Sequence, residues 1–98
     1  MHFSQEITSL RNEIKDEFSV LNHKVAIKRL IDFVRNYCPA KETEAIMISQ
    51  DFYDIERDLQ FNFIEAKEAK NAKKQITLRA LITLESAWNE GSNDLLQS

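Results

Sequence analysis

Glycine and proline are almost missing from this chain: Gly91 and Pro39 are the only ones in 98 residues. Hairpins and tight turns draw on both types, so a β-rich domain of this length has too few of them for its connections. Cys38 is the single cysteine. No intrachain disulfide can form, which fits a reducing compartment and a cytoplasmic protein. Long apolar runs are missing too. None approaches the roughly 18 residues that span a bilayer, so no membrane partner is expected. The opening MHFSQEITSLRNEIKDE has no apolar signal core and carries acids early. A strong charge of one sign is also lacking. The net charge of −3 gives no general drive toward nucleic acid.

What is present is amphipathic. Hydrophobic residues make up 43% and charged residues 30%, the balance of a globular chain with one modest core. Phe3, Ile7, Leu10, Ile14, Phe18 and Leu21 form a narrow stripe at helical spacing. They predict a helix over about Ser4–Phe18, with Ser4 as its cap. Val25, Ala26, Ile27, Leu30, Ile31, Phe33, Val34, Tyr37 and Cys38 cover more than half of a second helix, Asn22–Tyr37. A helix apolar that far round has neighbours on several sides, which makes it the candidate central element. Asn22 is its expected cap and Pro39 its stop.

A third helix is predicted from near Lys41 to Phe61 on Ala45, Ile48, Phe52, Ile55 and Leu59. Asn62 suits the left-handed position that ends it. A fourth runs from Glu65 to Asn89 on Ala69, Ala72, Ile76, Ala80, Leu84 and Trp88, with Gly91 as its stop. Residues 1–91 are thus expected to form one helical interaction domain, and 92–98 a flexible tail or the start of a linker. Short connections make neighbouring helices antiparallel. The expected fold is all-α: a small antiparallel bundle of four main helices, or a death-domain-like packing if helix one or two is split. Ile48, Phe52, Ile55, Leu59, Ile76, Leu81 and Leu84 should be buried together, with Leu30 and Val34 of helix two.

The order of residues in Ala45–Leu84 carries a resemblance. AIMISQDFYDIERDLQFNFI, EAKEAKNAKKQI and LRALITLES follow one another there. This stretch resembles an effector-associated domain of the eleventh type, a small death-fold-like adaptor of bacterial conflict and antiphage systems. Ile55-Glu56-Arg57-Asp58 sits at the family's charged stretch and Ile64 at its apolar position. Glu65-Ala66-Lys67-Glu68-Ala69 matches the start of its last helix, and Ile76 with Leu81 matches the end. Ala26–Val34 resembles its earlier Ala- and Leu-rich helix. Asn62 stands where glycine is usual, and Ala80 precedes Leu81 where two leucines are typical. The resemblance covers about two thirds of the chain. It implies a non-catalytic adaptor that links an effector, such as a protease or nuclease, to a sensor or NTPase carrying a like domain.

The residues themselves offer little chemistry. Cys38 and His23 would be a thiol–imidazole pair, but on one continuous helix they stand about 22 Å apart, whereas a nucleophile and its base need about 3 Å. Cys38 is then a small buried residue at a helix end, and His23 an exposed one near a helix start. His2 falls in a mobile terminus. A helical ribonuclease class that leaves four to six residues between an arginine and a histidine is not matched either, since eleven residues separate Arg11 from His23. Glu44, Asp51, Asp54 and Asp58 share a face of helix three, but one face encircles a cation poorly and no His or Cys joins them. No catalytic, metal-binding or cofactor-binding residue is therefore expected, and no cofactor.

Lys67, Lys70, Lys73 and Lys74 make a basic half-helix, interrupted by Glu65 and Glu68 and lacking Arg and aromatics, so nucleic acid is not the favoured partner. Lys24, Lys28 and Arg35 make a smaller basic strip on helix two. Glu56 and Arg57 could tie helix three to a neighbour, and Trp88 belongs to the core or its rim. The sites expected to bind a partner are the acidic strip Asp51, Asp54 and Asp58 and the basic strip Lys67, Lys70 and Lys74. Two strips of opposite sign suit association with a like helical domain on an effector or sensor, or between copies of the chain. The alternative reading is a small regulatory helical protein, antitoxin-like or associated with nucleic acid.

Overall fold

The computed structural model describes the backbone of residues 5–97 and the side chains of residues 5–91. His2, Phe3, the Ser4 cap and the side chains of the 92–98 tail lie outside the described residues. Four helices follow one another: α1 (Gln5–Ser19), α2 (His23–Tyr37), α3 (Glu42–Gln60) and α4 (Ala66–Gln97), with a 3-10 turn over Pro39–Lys41. Among the described residues there is no strand. The chain is an antiparallel all-α bundle. Neither α1 nor α2 is split, so the arrangement is up-down rather than the packing a split helix would have given.

α2 touches all three other helices. Ala26, Ile27, Leu30, Phe33 and Val34 are buried on it, which accounts for its wide apolar face. α2 and α4 run parallel. His23 at the start of α2 lies beside Thr77, and Cys38 just past its end lies beside Glu90. The α4 face turned inward is built from small residues, Ala69, Ala80, Ala87 and Gly91, interleaved with Ile76 and Leu84. Small side chains let two helix backbones approach closely.

Gly91 does not end the last helix. α4 passes through it to Gln97. A glycine inside a helix costs only about 1 kcal/mol, and Gly91 is buried on the same small-residue face as Ala87. Two other sequence expectations are corrected. Asn22 stands at the start of α2 but its side chain does not cap it; Nδ2 instead donates to Glu17 Oε2 at 2.6 Å. In the expected core set, Ile48, Phe52, Ile76, Leu84, Leu30 and Val34 are buried, whereas Ile55, Leu59 and Leu81 are only partly so.

Asn62 is left-handed as expected, with φ 60. Its N–H donates to the Leu59 carbonyl, and the Phe63 N–H reaches back to Asp58, which together satisfy the last carbonyls of α3. Leu21 does the same for α1, with φ 63. A leucine there costs roughly 1–2 kcal/mol, because Cβ crowds the following carbonyl. Two bonds hold it: Leu21 N–H to the Phe18 carbonyl at 3.0 Å and Asn22 N–H to the Glu17 carbonyl at 2.9 Å. Leu21 thereby leaves the α1 stripe and is 69% exposed.

Ion pairs fix how the helices sit. Arg11 grips Glu85 through Nε and Nη2 with three hydrogen bonds of 2.9–3.1 Å, and Lys15 adds a fourth contact at 2.8 Å. The Arg11 guanidinium also lies 4.6 Å over the Trp88 ring, which packs at the rim of the core. Burial alone would push the Glu85 carboxyl up, but hydrogen bonds from Lys15 and Arg11 and their charges outweigh it and hold it below its usual value. A carboxyl lowered in the folded state adds stability that is fully present above its unfolded pKa and is lost as pH falls through the folded one. Glu85→Gln should cost about 1 kcal/mol near neutrality, since the group is half-exposed and its pairs are screened. Urea melts taken from about pH 6 down to pH 3 should show the wild type losing this advantage. A constant gap between the two proteins across that range would mean the ion pair contributes nothing.

Candidate functional site

The two helical hairpins of the bundle differ in reach, and this shapes its surface. α1 and α2 turn at Val20–Asn22, and α3 and α4 turn at Phe61–Glu65, at the same end. Phe52 stacks on His23 with ring centroids 5.6 Å apart, so it marks the level of the α1–α2 turn on α3. Tyr53–Gln60 and Ala66–Ile76 therefore project beyond that turn, by about 12 Å on α3 and 16 Å on α4. Glu56 and Lys73 tie the two projecting segments together at 3.0 Å. Lys73 Nζ also sits 5.5 Å from the Phe52 ring.

Above the shorter hairpin this leaves a notch of about 630 Å³. Leu21, Leu59, Ala66, Ala69 and Leu78 give it apolar walls, Lys70, Lys73 and Lys74 line one side, and among the described residues no carboxylate lines it. Phe61 and Phe63, 58% and 73% exposed, form the tip of the projecting hairpin with their rings 6.0 Å apart. Sequence periodicity could not find this surface. Leu21 and Leu59 carry the same hydropathy as core residues; the left-handed turn sets Leu21 outward, and the unequal reach of the hairpins leaves Leu59 partly uncovered.

His23 is the floor of the notch and is buried, which corrects the expectation that it is exposed. Its Nδ1 lies 3.1 Å from the Leu21 carbonyl. A carbonyl only accepts, so Nδ1 carries the hydrogen and donates. Nε2 meets Thr77 Oγ1 at 3.1 Å. Phe18 approaches the ring edge-on and Phe52 stacks on it. The imidazole is thus a packed ring that ties the strained Leu21 carbonyl to α4.

Cys38 stands at the other end of the continuous α2, so the two residues form no nucleophile–base pair. The thiol is buried. Burial first, and then the Glu90 carboxylate that accepts its S–H at 3.5 Å, raise its pKa above the ordinary value. Such a thiol stays protonated and is a poor nucleophile.

The acidic strip is present but is not free. Asp51 accepts from Arg79 at 2.7 Å across the α3–α4 groove. Asp54 and Asp58 share Arg57, at 3.3 and 3.7 Å. Glu56 and Arg57 are therefore not partners of one another: Glu56 bridges to α4, and Arg57 stays on α3. Among the described residues no group of three His, Cys, Asp or Glu side chains is placed to hold a metal ion. The basic strip differs. Lys67, Lys70 and Lys74 are exposed along one face of α4, and none has a carboxylate partner among the described residues. The structure brings Lys70 and Lys74 to the notch and sets Asp51 on the Arg79 side of α4, so the two strips face different ways. On α2, Lys24 and Lys28 are exposed beside Tyr53, while Arg35 is engaged by Glu42 at 2.6 Å.

No helix among the described residues is long and apolar enough to cross a membrane. No family profile matches this chain, and no curated protein or solved structure matches it either.

Proposed function

We propose that this chain is a non-catalytic protein–protein interaction module. It acts as an adaptor that couples an effector to a sensor by associating with a like helical domain, in the manner of the bacterial defence modules its Ala45–Leu84 stretch resembles. The observation that supports this reading is the projecting end of α3 and α4. There an uncovered apolar surface adjoins Lys70 and Lys74, which have no carboxylate partner among the described residues. Surfaces of that kind mark contact sites more often than solvated faces do.

Light scattering over a series of concentrations tests it. The average mass should rise with concentration and fall again in high salt, because contacts between exposed charges are screened. Reversing Asp54 and Asp58 to Lys should weaken the association with little change in melting temperature, since exposed pairs contribute only about 0–1 kcal/mol each to folding. Lys70→Glu with Lys74→Glu should do the same, and mixing the two reversed proteins should restore part of it. Unchanged association in both reversals would move the interface to the Lys24–Lys28 side of α2.

The row of lysines is also the one observation that favours a nucleic-acid-associated regulator. Glu65 and Glu68 are exposed within it and no arginine joins it before Arg79. Salt-sensitive binding of duplex DNA that disappears with the lysine reversal and survives the aspartate reversal would support that second reading.

A further inference from the structure

We propose that the notch at the projecting end of α3 and α4 receives an acidic amphipathic helix from a partner protein. This deepens the interaction reading above and rests on it. Three observations carry the proposal. The notch lies directly over the α1–α2 turn, where two helices stop and two continue, so a third helix laid there completes the packing around Leu59 and Ala66. From Ala66 to Leu78 it extends about 18 Å along α4, the length of some three helical turns. The lysines are spaced as a helix would read them: Lys70 and Lys74 line the notch about 6 Å apart along α4, and Lys67 continues their row about 4.5 Å beyond its lining.

Carboxylates at positions i, i+3 or i+4, and i+7 of a docked helix would meet that row one to one, while the apolar stripe beside them would cover Leu21, Leu59 and Leu78. The row also decides between ligand classes. A fatty acid brings one carboxylate to one end of an apolar chain and leaves the remaining lysines unmatched. The exposed small wall at Ala66 admits the close approach of a backbone. His23 sets the position of the floor, because its two hydrogen bonds fix Leu21 on one side and Thr77 on the other.

The test uses the whole chain and three designed helices of about 18 residues. Each has Leu and Ala on one stripe, with glutamates on one flank, the other flank or both, and each has a counterpart in which glutamine replaces glutamate. Fluorescence anisotropy should show at least one acidic peptide binding saturably and about tenfold more tightly than its glutamine counterpart, the gain expected of several screened ion pairs together. Lys70→Glu with Lys74→Glu should erase that difference, and Leu78→Asp should weaken both peptides. Circular dichroism confirms that the variants stay folded. The proposal is overturned if no acidic peptide outbinds its glutamine counterpart, or if the preference survives the lysine reversal. It is also overturned if a long-chain fatty acid or anionic vesicles bind in a lysine-dependent way and no peptide does. Acid-selective peptide capture by a chain that stays monomeric at every concentration would keep the notch and remove homotypic association. Salt-sensitive self-association without any peptide preference would do the reverse.

Discussion

Phe52→Ala should lower the free energy of unfolding by about 3–5 kcal/mol, the range for deleting a buried ring. For a domain whose whole stability is about 5–15 kcal/mol, that is a large share. Three contacts explain why this position stands at the top. Phe52 is buried among the helices at the level where α1 and α2 turn, it is the surface on which His23 stacks, and it lies under Lys73. Ile55 on the same stripe is the instructive contrast. Sequence spacing puts it in the core set, but it packs at the core's edge on the projecting segment. Ile55→Ala should cost about 1–2 kcal/mol, because a partly buried side chain at the core's edge loses less burial and leaves no closed cavity. Urea denaturation followed by circular dichroism measures both. Equal losses would mean that the projecting hairpin is as deeply packed as the centre of the bundle.

The second large effect is expected at His23. His23→Ala removes a ring packed between Phe18 and Phe52, the donor to the Leu21 carbonyl and the partner of Thr77. The loss should be about 2–4 kcal/mol, combining a cavity with polar groups left short of a bond. His23→Phe separates these contributions. It keeps an aromatic ring in the stack and loses both hydrogen bonds, so it should recover roughly half of the deficit. An alanine variant within experimental error of the wild type would mean that the ring contributes no packing. The position of Leu21 provides a second readout. With its carbonyl no longer held, the left-handed turn loses one of its restraints, and amide exchange at Leu21 and Asn22 should quicken in both variants.

The helices and their sides were legible in the sequence because helical amphipathicity is a local code. Leu30, Val34, Ile48, Phe52, Ile76 and Leu84 recur at three- and four-residue steps, and any such stripe must be buried against something. Asn62 was legible as a left-handed terminus because the preference belongs to its own side chain. The central place of α2 followed from an apolar face too wide for one neighbour.

Other features depended on partners that periodicity does not reveal. Leu21 adopts the left-handed turn without any local preference for it, since its restraint comes from backbone bonds to Glu17 and Phe18 and from His23. Gly91 stays helical because its backbone is buried in the bundle, and that outweighs a propensity that by itself reads as a stop. His23 is buried because Phe52 and Thr77, distant in sequence, close around it. The charged strips were visible as strips, but which charges are already paired was not. Arg57 engages Asp54 and Asp58, Arg79 engages Asp51, and nothing among the described residues engages Lys67, Lys70 or Lys74. The sequence by itself determined four amphipathic helices and the faces they bury, because both depend on residue spacing within each helix. Only the tertiary structure decided that α3 and α4 outreach α1 and α2 and leave an apolar notch beside unpaired lysines, because that depends on how far each hairpin extends past its neighbour.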